Sequence, residues 1–255
     1  MLGHRLWLTL DGGRTWRRPT VSTSPVASVA DGFEAIDCIL IGRRRPCPLY
    51  AVDASSGIIA PLATQPPGIV ITQEWSFRTS VPLGGGVLWV PGLDPVTRKP
   101  AVASSADGGR SWHTTVFAAG VAAPRTGYLA VKYLPALAAG ADGLAYATIY
   151  RSDDQVTPYR TTDVGRTWTP LAALTGVPDA GYVTADGAHV VFTRAGFRSS
   201  RGGATYTPAT LPGYPAVLAQ LPETGHHAAP GRYLVTATDR YWTSDNGWVW
   251  RPLGW

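Results

Sequence analysis

The 255-residue chain is poor in cysteine, in glutamate and in charge, and it lacks any long apolar run. Its only cysteines, Cys38 and Cys47, cannot form a dense disulfide framework or a Cys-pair metal site. Charged residues are 15% and hydrophobic ones 45%, which excludes a disordered chain. No run is long enough to cross a bilayer as a helix, so no membrane partner is expected. No stretch of ten or more residues combines a 3.6-residue apolar period with helix caps, which excludes a helical fold. Residues 6–10 are too short for a leader's apolar core, and Asp11 follows at once. The expected location is therefore secreted or periplasmic with a leader outside this chain, or else cytoplasmic. Phosphate loops, nucleophile elbows and nucleic-acid modules are also missing, so neither a cofactor nor a specific nucleic acid is expected.

What the chain has is punctuation: 29 glycines and 22 prolines divide many short strand-like segments, the pattern of an all-β sandwich, barrel or propeller. One turn recurs. Ser105, Asp107, Gly109, Ser111 and Trp112 match Thr9, Asp11, Gly13, Thr15 and Trp16, and match again Thr161, Asp163, Gly165, Thr167 and Trp168. Thr243, Asp245, Gly247, Val249 and Trp250 form a worn copy, and Ser199, Arg201, Gly203, Thr205 and Tyr206 a more worn one. The segment 53–57 stands where a sixth would be. The chemistry is that of a hairpin: an Asp carboxylate accepts from backbone N–H groups just beyond it, Gly supplies a positive φ, and the aromatic fills the gap between neighbouring hairpins.

This pattern resembles the Asp-box, or BNR repeat, of the sialidase-like superfamily. The resemblance implies a β-propeller of four-stranded antiparallel blades, about six in all: five complete plus an N-terminal hairpin over residues 4–20. A single domain spanning 1–255 is expected. The aspartates of the boxes are then structural, joining the last two strands of each blade. An incomplete first blade would leave a strand edge exposed, so a partner or a missing upstream segment is expected there. Asp-box propellers also include photosystem assembly factors, sorting receptors and xyloglucanases, so binding and hydrolysis are both implied activities.

The resemblance places function on the face opposite the boxes, formed by the loops between second and third strands and those between blades. There the chain carries Arg43, Arg44 and Arg45, then Asp94, Arg98 and Lys99, then Tyr150, Arg151, Asp153 and Asp154, with Arg125 and Asp179 on the inter-blade loops. Arginines and Tyr150 suit a glycan or an anionic ligand, and the net charge of +5 favours anionic partners in general. Asp94, Asp153 and Asp154 are the catalytic candidates if the protein is a glycoside hydrolase. An active sialidase is disfavoured: the Phe/Tyr-Arg-Ile-Pro motif is reduced to Phe77-Arg78, and there are only three glutamates, Glu34, Glu74 and Glu223. His226 and His227 are expected in a solvated loop, with no third ligand for a metal. Cys38 and Cys47 flank a turn and would face each other across a hairpin, forming a disulfide or remaining reduced in a β core. The leading expectation is a non-catalytic module that binds a glycan or protein; the alternative is a glycoside hydrolase.

Overall fold

The structure, a computed structural model, describes residues 7, 14–29, 33–36, 48–53, 55–70, 87–123, 133–151, 155–175, 181–193, 195–202, 205–215, 226–229, 232–237 and 240–253. Residues 33–36, 226–229, 232, 236 and 237 are described by their backbone alone. The described residues form five successive sheets and no helix beyond an isolated 3₁₀ residue at Tyr133.

The first sheet contains β1 (Thr20–Val21), β2 (Phe33–Ile36), β3 (Tyr50–Asp53) and β4 (Ile58–Pro61) in the order β1-β4-β3-β2. The second contains β5 (Leu88–Leu93), β6 (Pro100–Ser105) and β7 (His113–Val116), with Val70 bridged antiparallel to Leu93. The third runs β11-β10-β9-β8, from β8 (Ala136–Ala139), β9 (Ala145–Tyr150), β10 (Gln155–Thr161) and β11 (Thr169–Pro170); β12 (Leu174–Thr175) also pairs with β10. The fourth is β13 (Gly181–Val183), β14 (His189–Thr193), β15 (Gly196–Ser200) and β16 (Thr207–Pro208). The fifth is β17 (His226–Ala229), β18 (Arg232–Ala237), β19 (Arg240–Ser244) and β20 (Arg251–Pro252).

Each sheet packs face to face on the next. Leu49, Ala51 and Leu62 of the first meet Leu88, Val90 and Ala103 of the second. Trp89 and Val102 meet Ala145, Ala147 and Ile149 of the third. Tyr182 and Val190 of the fourth meet Tyr233, Val235 and Trp250 of the fifth. A middle strand therefore buries both faces, which is why β5 and β6 read as continuous apolar or small residues and every one is buried. The outermost strands β11, β16 and β20 are short and exposed. Their brevity limits the open backbone that a sheet edge presents.

Of the expected N-terminal hairpin over 4–20, residues 4–6 and 8–13 lie outside the described residues. Residues 20–26 run parallel to the outer edge of β4, with Thr20 opposite Ile58, Val21 opposite Ile59 and Val26 bridged to Leu62. Ser22 N donates to the Ile59 carbonyl at 2.7 Å and Ala63 N to that of Val26 at 2.8 Å. Residues 20–21 thus supply the strand of the first sheet that lies outside β4. His226 and His227 also differ from expectation, since they belong to β17 and pair with β18 instead of lying in a loop. The turn from β8 into β9 uses Asp142 (φ 53°) and Gly143 (φ 75°).

Candidate functional site

The two intact boxes have the same geometry. Ser105 Oγ donates to Asp107 Oδ1 at 2.8 Å and accepts from Gly109 N at 2.7 Å; Asp107 then accepts Ser111 N at 2.9 Å and Ser111 Oγ at 2.6 Å. In the next sheet Thr161, Asp163, Gly165 and Thr167 repeat these bonds at 2.7, 3.0, 2.9 and 2.6 Å. For Asp107, burial opposes ionisation, yet the bonds from Ser111 and Ser105 hold its pKa at about 2. Bonds from Thr167 and Thr161 bring Asp163 to about 2 as well. Both are fixed acceptors within their own turns.

The aromatics close the gaps between sheets. Trp112 Nε1 donates to the Thr64 carbonyl at 3.0 Å, and Trp168 sits edge-on to Trp89 and Phe117. Trp250 is 4% exposed among Tyr182, Tyr214 and Tyr233. Trp16 is 59% exposed and so does not match them; Asp11 of that copy lies outside the described residues.

The worn copies have a different register from the one expected. The hydroxyl residue faces the start of the second strand in the second to fifth sheets: Ser105 opposite Leu88, Thr161 opposite Ala145, Ser200 opposite His189, Ser244 opposite Tyr233. The turns beginning at Ser200 and Ser244 reach their aromatic one residue sooner. Asn246 therefore takes the acceptor role assigned to Asp245, receiving Trp248 N at 2.8 Å and Val249 N at 3.0 Å. Asp245 is exposed and pairs with Arg251 at 3.0 Å. By the same alignment Gly202, which has no side chain, takes the acceptor's place in the fourth sheet.

The segment 53–57 is not a box. It joins the second and third strands, and it lies at the end of the β3–β4 hairpin away from Leu49 and Leu62. Those two are hydrogen-bonded at 2.9 Å, and a Cβ on Gly109 of the next box would meet Leu62 Cδ1 at 3.0 Å. Its counterpart is the turn at Asp94, which also joins second to third strand. Asp53 accepts Ser55 N at 2.8 Å and the hydroxyls of Ser55 and Ser56, and those bonds lower its pKa to about 2.

At that end of the second sheet, Asp94 Oδ1 accepts both Thr97 N and Thr97 Oγ1 at 2.6 Å, and these bonds lower its pKa. The turn closes with Arg98 at φ 63°, a conformation usually left to glycine. Arg98 Nε is buried with no hydrogen-bond partner among the described residues. The strand connection 117–123 then lies between two neighbouring loops: Ala123 N donates to the Arg98 carbonyl at 2.9 Å and Val121 N to that of Tyr150 at 3.4 Å. Lys99 Nζ donates to the Ala118 carbonyl, and Tyr150 packs edge-on to Tyr133 at 5.6 Å. Asp94, Arg98, Lys99 and Tyr150 therefore share one loop end. Arg43, Arg44, Arg45, Arg125, Asp153, Asp154, Asp179, Phe77, Arg78, Cys38 and Cys47 lie outside the described residues. No group of three or more His, Cys, Asp or Glu placed to hold a metal occurs among the described residues.

Sequence reasoning missed one cluster, at the box end between the fourth and fifth sheets. Asp186 accepts Thr184 Oγ1 at 2.5 Å and Trp248 Nε1 at 3.1 Å, and it pairs with Arg201. The signal was Thr184-x-Asp186-Gly187, a box-like triplet at an inner hairpin.

No family model and no curated protein matches the chain. Solved structures that resemble it include YCF48 bound to D1 peptide, at 14% identity, 92% of this chain, 86% of that one and a TM-score of 0.40. The SapL1 lectin in complex with alpha methyl fucoside gives 14%, 91%, 83% and 0.45. The GH74 xyloglucanase from Xanthomonas campestris gives 14%, 95%, 50% and 0.28. With TM-scores below 0.5, these likenesses lend no weight to a fold or an activity. The sheets themselves define the class: an all-β protein of successive, mostly antiparallel sheets.

Proposed function

We propose that the chain is a single-domain Asp-box β-propeller, closed into a ring, that binds a glycan or a protein without catalysing a reaction. The ligand lies on the loop end that carries Arg98 and Tyr150. One observation carries this reading: Arg98 is held in a left-handed backbone conformation, with a buried Nε that has no partner among the described residues, and residues 121–123 join its loop to that of Tyr150. Such strain persists only where its surroundings impose it, and a planar guanidinium recognises carboxylates and hydroxyl pairs through parallel bonds.

Among the three carboxylates that could serve hydrolysis, Asp94 is described, and its bonds from Thr97 lower its pKa, whereas a general acid of glycoside hydrolysis must be held protonated. The test is a glycan array and an immobilised peptide array probed with the full chain, beside a panel of fluorogenic glycosides. Binding that is lost in Arg98→Ala, with no turnover, is the expected result. Turnover abolished by Asp94→Asn, Asp153→Asn or Asp154→Asn, with no binding, would establish the hydrolase instead.

A further inference from the structure

The worn turn of the fourth sheet borders an open groove of about 430 Å³, lined by Ser199, Ser200, Arg201, Thr205, Thr207 and Trp248. That volume falls within the range of about 300–1,000 Å³ typical of small-ligand clefts. The groove lies at the box end, across the sheets from the Arg98 loop, and its walls come from two sheets: β15, β16 and their turn on one side, Trp248 of the fifth sheet on the other.

Its lining follows from the shortened turn. In the intact boxes Ser111 and Thr167 give their hydroxyls to the box carboxylate. Thr205 holds the corresponding place, one residue before the aromatic, but the acceptor position is Gly202, so Thr205 has no such carboxylate. The Trp248 indole is fixed by its bond to Asp186, and the Arg201 guanidinium lies 5.9 Å from the ring centroid. Arg201 and Asp186 form an ion pair and leave no net charge on the wall. Burial opposes the ionisation of Asp186, but bonds from Thr184 and Trp248 and the charge of Arg201 lower its pKa, so the pair is ionic at neutral pH.

We infer that this groove is a saccharide subsite, separate from the ligand face proposed above, that takes a neutral pyranose unit. An indole wall packs against the C–H face of a sugar ring. The hydroxyl rim and the Arg201 guanidinium exchange hydrogen bonds with vicinal sugar hydroxyls, those from Arg201 charge-assisted. For an anionic ligand the Arg201 charge is already paired with Asp186, and a purely apolar one would desolvate the rim without replacing its hydrogen bonds.

The experiment is saturation-transfer NMR of the full chain with the methyl α- and β-glycosides of glucose, galactose, mannose, fucose and N-acetylglucosamine. The expected result is transfer to the ring C–H protons of at least one glycoside, absent in Trp248→Ala and weakened about tenfold in Arg201→Ala, a loss of about 1.4 kcal/mol. Arg201 is 71% exposed by its side chain, so that variant leaves the fold intact and keeps the test sound if Trp248→Ala unfolds. The same readings are taken in the Arg98→Ala background, where the loop-end ligand site proposed above is removed and the remaining transfer comes from the groove. The inference is overturned if no glycoside receives transfer, or if transfer survives both groove substitutions. Transfer lost only in Arg98→Ala overturns it too, while supporting the binding face proposed above.

Discussion

The turns of the second and third sheets and those of the fourth and fifth solve the same problem with different parts. The first pair uses a hydroxyl, a carboxylate two residues on, a glycine and a tryptophan, with every bond local. The second pair is one residue shorter and keeps the buried hydroxyl residue and the buried aromatic, but replaces the carboxylate with the Asn246 amide or with nothing. The constant parts are those that fill the gap between sheets; the carboxylate is the replaceable one. Where it is lost, a carboxylate from another hairpin, Asp186, ties the worn turn to the next sheet.

The largest effect should come from the shared part. Trp250→Ala removes a buried indole from the aromatic cluster between the fourth and fifth sheets and should destabilise the protein by about 3–5 kcal/mol in urea unfolding. A loss below 1 kcal/mol (about the cost of a surface change) would show that the aromatic is not what holds a worn turn.

A second contrast comes from pH. His189 of the fourth sheet is buried, bonded through Nδ1 to Tyr206 Oη at 2.7 Å and stacked on Tyr146 at 4.3 Å. Burial pushes its pKa down from 6.5 to about 3. Below pH 6.5 the unfolded chain takes up a proton that the folded one refuses, so stability is full above that pH and falls towards pH 3 by about 1.4 kcal/mol per unit. The loss reaches about 2 kcal/mol at pH 5, and the slope should be shallower by about 1.4 kcal/mol per unit in His189→Phe. Equal slopes would place the titration elsewhere.

The carboxylates give the next comparison. Asp163→Ala strips the intact box of its acceptor and should cost about 1–2 kcal/mol by the same unfolding assay. Asp245→Ala, at the place the repeat pattern equates with it, should change stability by less than about 0.5 kcal/mol, because it removes only an exposed ion pair. Comparable costs for the two would mean that Asp245 serves its turn after all.

Much of the all-β architecture was legible in the residues. The boxes at Asp107 and Asp163 are complete within seven or eight residues, and the strands beside them follow from apolar segments cut by glycine and proline. The worn copies misled because spacing was counted from the wrong residue: Thr243 and Ser199 offer hydroxyls one place before Ser244 and Ser200, and only the pairing to β18 and β14 tells them apart. Asp53 misled for a related reason, since an aspartate-glycine turn looks alike at either end of a sheet. Of the expected site, Asp94, Arg98, Lys99 and Tyr150 fall at one loop end, while the Asp186–Arg201–Trp248 cluster joins residues up to 62 apart.

The sequence by itself determined the chemistry of each tight turn, because its donors and acceptors lie within a few residues and need no distant partner. Only the tertiary structure decided that residues 20–26 run parallel along β4, that Asn246 and not Asp245 is the acceptor, and which end of a sheet each turn occupies. Those outcomes depend on hydrogen-bond register between strands and on burial between sheets, and neither quantity is carried by the order of residues in one segment.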